Sequence, residues 1–111
     1  MNIVLRPQRD LDIKGASLLQ QQLRRFVETT DMKPRSYWII DLVDVDYIDH
    51  FGLFALVKLR RLACQHQCHL RLCNAKKPIL LMLEITELDR NFKILETLKD
   101  LSESKIRLLL C

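Results

Sequence analysis

The stretch from Trp38 to Leu62 constrains the fold of this chain more than any other. It reads Trp-Ile-Ile-Asp-Leu-Val-Asp-Val-Asp-Tyr-Ile-Asp-His-Phe-Gly-Leu and continues Phe-Ala-Leu-Val-Lys-Leu-Arg-Arg-Leu. Tyr37 to Leu42 is short, aromatic and β-branched, which suits a strand packed on both faces. A loop carrying Asp44, Asp46 and Asp49 follows, and then a mostly apolar helix from at or near Gly52 to about Gln65. Aspartates belong ahead of a helix, where unpaired backbone N–H groups and the positive end of the helix dipole face them. Only an architecture that seats a buried strand beside its own helix can use such a unit.

The flanking sequence supplies more of the same. Asn2 to Arg6 reads as a first strand, stopped by Pro7, which also pushes Arg6 towards an extended conformation. From about Lys14 to Glu28, Ala16, Leu19, Leu23, Phe26 and Val27 recur every three or four positions, the apolar stripe of a packing helix. Gln20, Gln21, Arg24 and Arg25 take its opposite side, and Asp12 is placed to cap its start. Thr29 to Ser36 is a polar connection. Cys68 to Cys73 alternates Leu70 and Leu72 with His69 and Arg71, a strand with one less buried face. A helix from Ile79 to Ile85 follows, with Pro78 tolerated at its first position. Leu95, Leu98 and Leu101 fall on helical spacing as a last helix. Ile106, Leu108, Leu109 and Leu110 are too apolar for a free tail, so they either extend that helix or mark an association surface, with a homodimer as one outcome. The order β-α-β-α-β-α-β-α predicts an α/β fold.

At the start of the central helix, Asp49, His50, Phe51, Gly52 and Leu53 match the Asp-Ser-Ser-Gly-Leu signature of STAS domains, the fold of anti-sigma-factor antagonists. The resemblance extends along nearly the whole chain. Leu11 and Asp12 match the end of the family's Gly-x-Leu-Asp loop, with Arg9 where glycine is usual, and Leu88 and Phe92 match positions between the third helix and the last strand. The additional opening strand common in the family has no counterpart here. The fold this implies is a single STAS-like α/β domain over 1–111, with a small mixed or partly parallel sheet of about four strands and about four helices. The first serine of the motif is the family's phosphorylation site. His50 stands there and Phe51 follows, so the resemblance implies a phospho-site-equivalent position with no hydroxyl.

Composition narrows the function. A chain of 111 residues is expected to build one core. No apolar run approaches the ~20 residues that span a bilayer, and Met-Asn-Ile-Val-Leu-Arg-Pro lacks the pattern of a signal peptide. A cytoplasmic protein without membrane insertion is expected. The four cysteines, Cys64, Cys68, Cys73 and Cys111, are expected as free thiols, with Cys64 and Cys68 as packing residues. Cys64, His66, Cys68 and His69 spread over a helix end, a turn and a strand start, so no metal is expected on them. The net charge of +4 draws on Lys58, Arg60, Arg61, Lys76 and Lys77. Without interleaved aromatics it reads as a solvated surface or a site for an acidic protein, not for nucleic acid.

Catalysis is not expected. Asp49 beside His50 has the composition of a general-base pair. Yet no nucleophile accompanies it, and with Gly15 and Gly52 the only glycines there is no phosphate loop. No cofactor is implied. The function expected is a non-enzymatic binding module of the anti-sigma-factor-antagonist type, working by partner switching or scaffolding. The resemblance implies as partner an anti-sigma factor or serine-kinase-like protein. The alternative is a STAS module attached to a transporter or its ATPase. Asp46, Asp49, His50, Phe51, Phe54 and Lys58 are the candidate partner-binding residues, with Phe51, Phe54 and Lys58 on one helix face by their spacing.

Overall fold

In a computed structural model, the structure describes residues 2–31, 33–90, 92–95 and 106–110. Strand β1 (Asn2–Arg6) leads to helix α1 (Ile13–Thr29), then to β2 (Tyr37–Asp41), α2 (His50–Gln65) and β3 (His69–Cys73). Helix α3 (Lys77–Ile85) follows, with a short 3-10 turn at Leu88–Arg90, β4 (Lys93–Leu95) and β5 (Ile106–Leu110). The five strands form one sheet in the order β4-β3-β2-β1-β5, and every pairing among them is parallel. The fold is α/β, as the alternation of elements implies.

The sheet explains why its strands carry such unbroken apolar runs. Ile3 and Leu5 of β1, Trp38 and Ile40 of β2, and Leu70 and Leu72 of β3 face one core with Leu19, Leu23 and Phe26 of α1 and Leu53, Leu56 and Leu59 of α2. Ile79 and Leu83 of α3 join the same core. Val4, Ile39 and Cys73 lie on the other face and are fully buried as well. Burial on both faces is what a parallel sheet requires of its strands.

Each helix on the central face has an assignable beginning or end. Asp12 caps α1 and Asp49 caps α2, each accepting the N–H of a glycine three residues on. The cap fixes the start of α2 at His50, two residues before Gly52. Its last turn closes through Gln67, which adopts a left-handed conformation with φ of 58°. Gln67 N–H donates to the Cys64 carbonyl and Cys68 N–H to the Ala63 carbonyl, at 3.0 and 2.8 Å. That pairing satisfies carbonyls the helix would otherwise leave open. Arg35, Asn74 and Glu87 hold the other positive-φ positions described, and Arg9 is not among them. The loop where the family uses glycine is therefore built without a left-handed residue.

The C-terminal segment departs from the sequence expectation. Leu95 ends β4, and the expected helix through Leu98 and Leu101 lies otherwise outside the described residues. Ile106–Leu110 is not a helix extension. It is the edge strand β5, in register with β1 from Asn2 opposite Ile106 to Arg6 opposite Leu110. A five-residue apolar run has strand length, and the outer edge of β1 offers N–H and C=O groups that need partners. Leu108 and Leu110 remain exposed on it.

Candidate functional site: the α1–α2 face

Two loops at one end of the sheet are tied to each other, and this tie positions both helix starts. The loop after β1 meets the loop after β2 where Leu11 N–H donates to the Tyr47 carbonyl (3.0 Å) and Asp49 N–H to the Leu11 carbonyl (3.2 Å). The Asp10 carboxylate accepts from the N–H groups of Asp46 and Tyr47, at 2.9 and 3.1 Å. Gly52 sits directly over this junction. A Cβ there would stand 2.3 Å from the Leu11 carbonyl oxygen and 2.5 Å from Ile48 Cγ1. Glycine is required by close approach, not by a left-handed backbone.

The carboxylates of the sequence motif are separated by this geometry. Asp49 turns inward and accepts the Gly52 N–H at 3.1 Å. Asp46 pairs with Lys76 ahead of α3, and Asp44 accepts from Gln8 Nε2 at 3.1 Å. Asp12, the cap of α1, is held below the ordinary carboxylate range by the Gly15 N–H, with Arg9 adding to the effect. Asp41, which the sequence analysis did not single out, is buried at the end of β2. It accepts from Arg6 Nε at 2.8 Å, Asn74 Nδ2 at 2.9 Å and the Val43 N–H at 3.1 Å. The available signal was an ionisable residue ending each of two apolar strands, Arg6 and Asp41.

Beyond the cap, α2 presents aromatic rings to solvent. The His50 ring centroid lies 4.1 Å from that of Phe51 and 6.2 Å from that of Phe54, edge-on to the latter. Phe51 is 41% exposed and Phe54 is 62% exposed. Phe51, Phe54 and Lys58 form one wall of a groove of about 600 Å³. The opposite wall comes from α1, where Ile13 (59% exposed) stands near the helix start and Arg24 lies further along, with Ser17, Gln20 and Gln21 between. Spacing along α2 does not reveal this wall, although Ile13 falls outside the buried stripe of α1 and is a signal for it. The structure thus brings His50, Phe51, Phe54 and Lys58 to one face. Asp49 lies beneath that face, and Asp46 is turned towards Lys76.

Chemically, the face offers apolar and aromatic surface with two cations, Arg24 and Lys58. Asp49 and His50 are engaged differently, one with a backbone N–H and the other with two phenyl rings, so they do not form a base pair. Among the described residues no group of three or more His, Cys, Asp or Glu is placed to hold a metal ion. His66 packs on Trp38, with ring centroids 5.8 Å apart. Cys68 is buried, and burial raises its thiol pKa. Cys73 is pushed up to about 12 by burial and by neighbouring Asp41. Cys64 is exposed on α2, which corrects its expected packing role: the inward positions of that helical turn belong to Leu59 and Ala63.

Comparison with known proteins places this geometry in a wider set. A family model described as STAS domain matches residues 1–101. The crystal structure of a Thermotoga maritima protein, described as a candidate anti-sigma factor antagonist, superposes with a TM-score of 0.77 at 25% identity. That match covers 88% of this chain and 82% of the other. An NMR structure of the same protein gives a TM-score of 0.73 at 24% identity over 88% and 77% of the two chains. A sulfate transporter family protein from Wolinella succinogenes shares the fold, with a TM-score of 0.69 at 13% identity over 87% and 79%. Among the described residues no helix is long and apolar enough to cross a membrane.

Proposed function

The chain belongs to the STAS domain family, and we propose that it acts within it as a non-enzymatic regulatory module that captures a protein partner, in the manner of an anti-sigma factor antagonist. The observation that carries this reading is the exposed ring cluster of His50, Phe51 and Phe54 at the start of α2. Exposed aromatics beside charge are the composition of binding hot spots. The groove they share with Ile13 and Arg24 suits a partner segment that supplies apolar side chains and a carboxylate. Its likeness to the Thermotoga maritima protein supports the antagonist type.

Control differs from that of a phosphorylatable module. Phosphate on a hydroxyl at this helix start would add about −1.5 to −2 charge to a surface meant to hold a partner. His50 and Phe51 offer no hydroxyl, so the module binds without that off-switch. Incubation with serine kinases and ATP, followed by peptide mass measurement, is expected to leave the peptide from Asp44 to Lys58 unmodified, and phosphate found there would refute this.

Phe54→Ala tests the binding face. The variant is expected to keep its stability within about 0.5 kcal/mol, the usual range for an exposed position, while losing capture of the partner that co-purifies with the unaltered protein. Full capture by the stable variant would remove this surface from the function. The second reading, a module serving a transporter or its ATPase, has the shared fold of the sulfate transporter family protein in its favour. An encoded transporter beside this gene, with that transporter as the co-purifying partner, would decide for it.

A further inference from the structure

A second cavity lies away from the α1–α2 face, against the half of β3 that β4 does not cover. Pairing between β3 and β4 begins at Arg71, so His69 and Leu70 lie ahead of that pairing. Arg60 and Cys64 of α2, Arg71 of β3, and Arg90 of the 3-10 turn surround a space of about 300 Å³ there, with the core residues Leu70 and Phe92 at its floor. The three arginines come from three separate elements, and among the described residues no carboxylate lines the cavity. Among the described residues the ion pairs are Arg6 with Asp41, Arg9 with Asp12, and Lys76 with Asp46. The arginines of the cavity are in none of them.

Arg71 is also held in place. Its guanidinium lies 5.4 Å from the centroid of the Tyr37 ring, and one of its nitrogens donates to the Leu70 carbonyl at 3.0 Å. Tyr37 packs in turn against His69, with centroids 5.2 Å apart. A guanidinium has five N–H donors, so this anchoring leaves donors free for a ligand. Three cations facing one small space repel each other, and an anion between them removes that cost. Arginine forks match the oxygens of phosphate in particular.

We propose that this edge cavity is an anion site that takes the phosphate group of a small phosphate monoester between its three guanidinium groups. A volume of about 300 Å³ is at the small end of ligand pockets, enough for such a compound. The site is separate from the partner face and does not depend on its function.

Amide chemical-shift titration of the full chain at low salt tests it, with inorganic phosphate and phenyl phosphate as probes. Shifts are expected at Cys64, His69, Leu70 and Phe92 with both probes. Arg60→Gln and Arg90→Gln are each expected to weaken binding roughly tenfold, the loss of one charge-assisted hydrogen bond. Arg25→Gln, which makes the same change in net charge on exposed α1, is expected to leave it unaltered. Circular dichroism establishes that each variant is folded. Equal weakening in all three variants, shifts centred on Arg24 and Lys58, or no saturable binding of either probe would each overturn the proposal.

Discussion

Gly52→Ala measures how firmly the start of α2 is seated on the loop after β1. The added methyl would stand 2.3 Å from the Leu11 carbonyl oxygen, 2.5 Å from Ile48 Cγ1 and 2.8 Å from Leu11 Cβ. Reaching even 3.0 Å from that oxygen needs a displacement of about 0.7 Å. The oxygen cannot simply move aside, because it accepts the Asp49 N–H at 3.2 Å and Leu11 is fully buried. Overpacking of this kind costs about 1–3 kcal/mol, and a weakened backbone hydrogen bond adds about 1 kcal/mol. Against this, alanine is the better helix former by about 0.8–1 kcal/mol. The net expectation is a loss of about 2 kcal/mol. At about 4–8 °C per kcal/mol for a domain near this size, the thermal midpoint should fall by roughly 8–16 °C. Urea and thermal unfolding followed by circular dichroism give both quantities. A variant as stable as the parent, or more stable, would mean that propensity outweighs contact and that the junction at Leu11 is loose.

Gln67→Gly, at the left-handed residue that closes α2, is expected to stabilise the protein by about 0.5–1 kcal/mol in urea unfolding, since glycine adopts that conformation without steric cost. A thiol reagent applied to the native protein near pH 8 should modify exposed Cys64 quickly and leave buried Cys68 and Cys73 for the unfolded state, read by mass of the labelled peptides. Because the Cys73 pKa rises from 9.0 to about 12 on folding, the unfolded chain releases this proton first. Its contribution is complete below pH 9 and lost as pH climbs towards 12, so Cys73→Ala should lose less stability over that interval than the parent does.

Local pattern made much of this fold legible. Asp12 and the stripe from Ala16 to Phe26 gave α1, and the aromatic, β-branched run from Tyr37 gave β2. The pattern puts the start of α2 at or near Gly52. Counting from the capping carboxylate of Asp49 puts it at His50. Strand β5 was not legible, since Ile106 to Leu110 is apolar at nearly every position and shows neither a period of two nor one of 3.6. Its identity comes from β1, at the other end of the chain. On the α1–α2 face, spacing identified which residues of α2 share a side. It carries no information on which side of α1 stands opposite, so Arg24 is placed only on the polar side of its helix and Ile13 is not singled out.

The two helices that build the face begin by the same device, and this bears on how a partner meets them. In each, an aspartate caps the first turn by accepting the N–H of the glycine three residues later: Gly15 donates to Asp12 at 2.9 Å and Gly52 to Asp49 at 3.1 Å. In each, the absent Cβ leaves room for a backbone carbonyl of the same loop. Asp10 approaches Gly15, and Leu11 approaches Gly52. Two adjacent carbonyls therefore set the height of two helices, and the Asp10 carboxylate ties the loop between them to Asp46 and Tyr47. Ile13 follows one cap directly, and His50 and Phe51 follow the other. Their separation across the groove is thus set behind the surface, by these backbone contacts and by the core that α1 and α2 share. A face fixed in that way needs little ordering when a partner arrives, which lowers the cost of association.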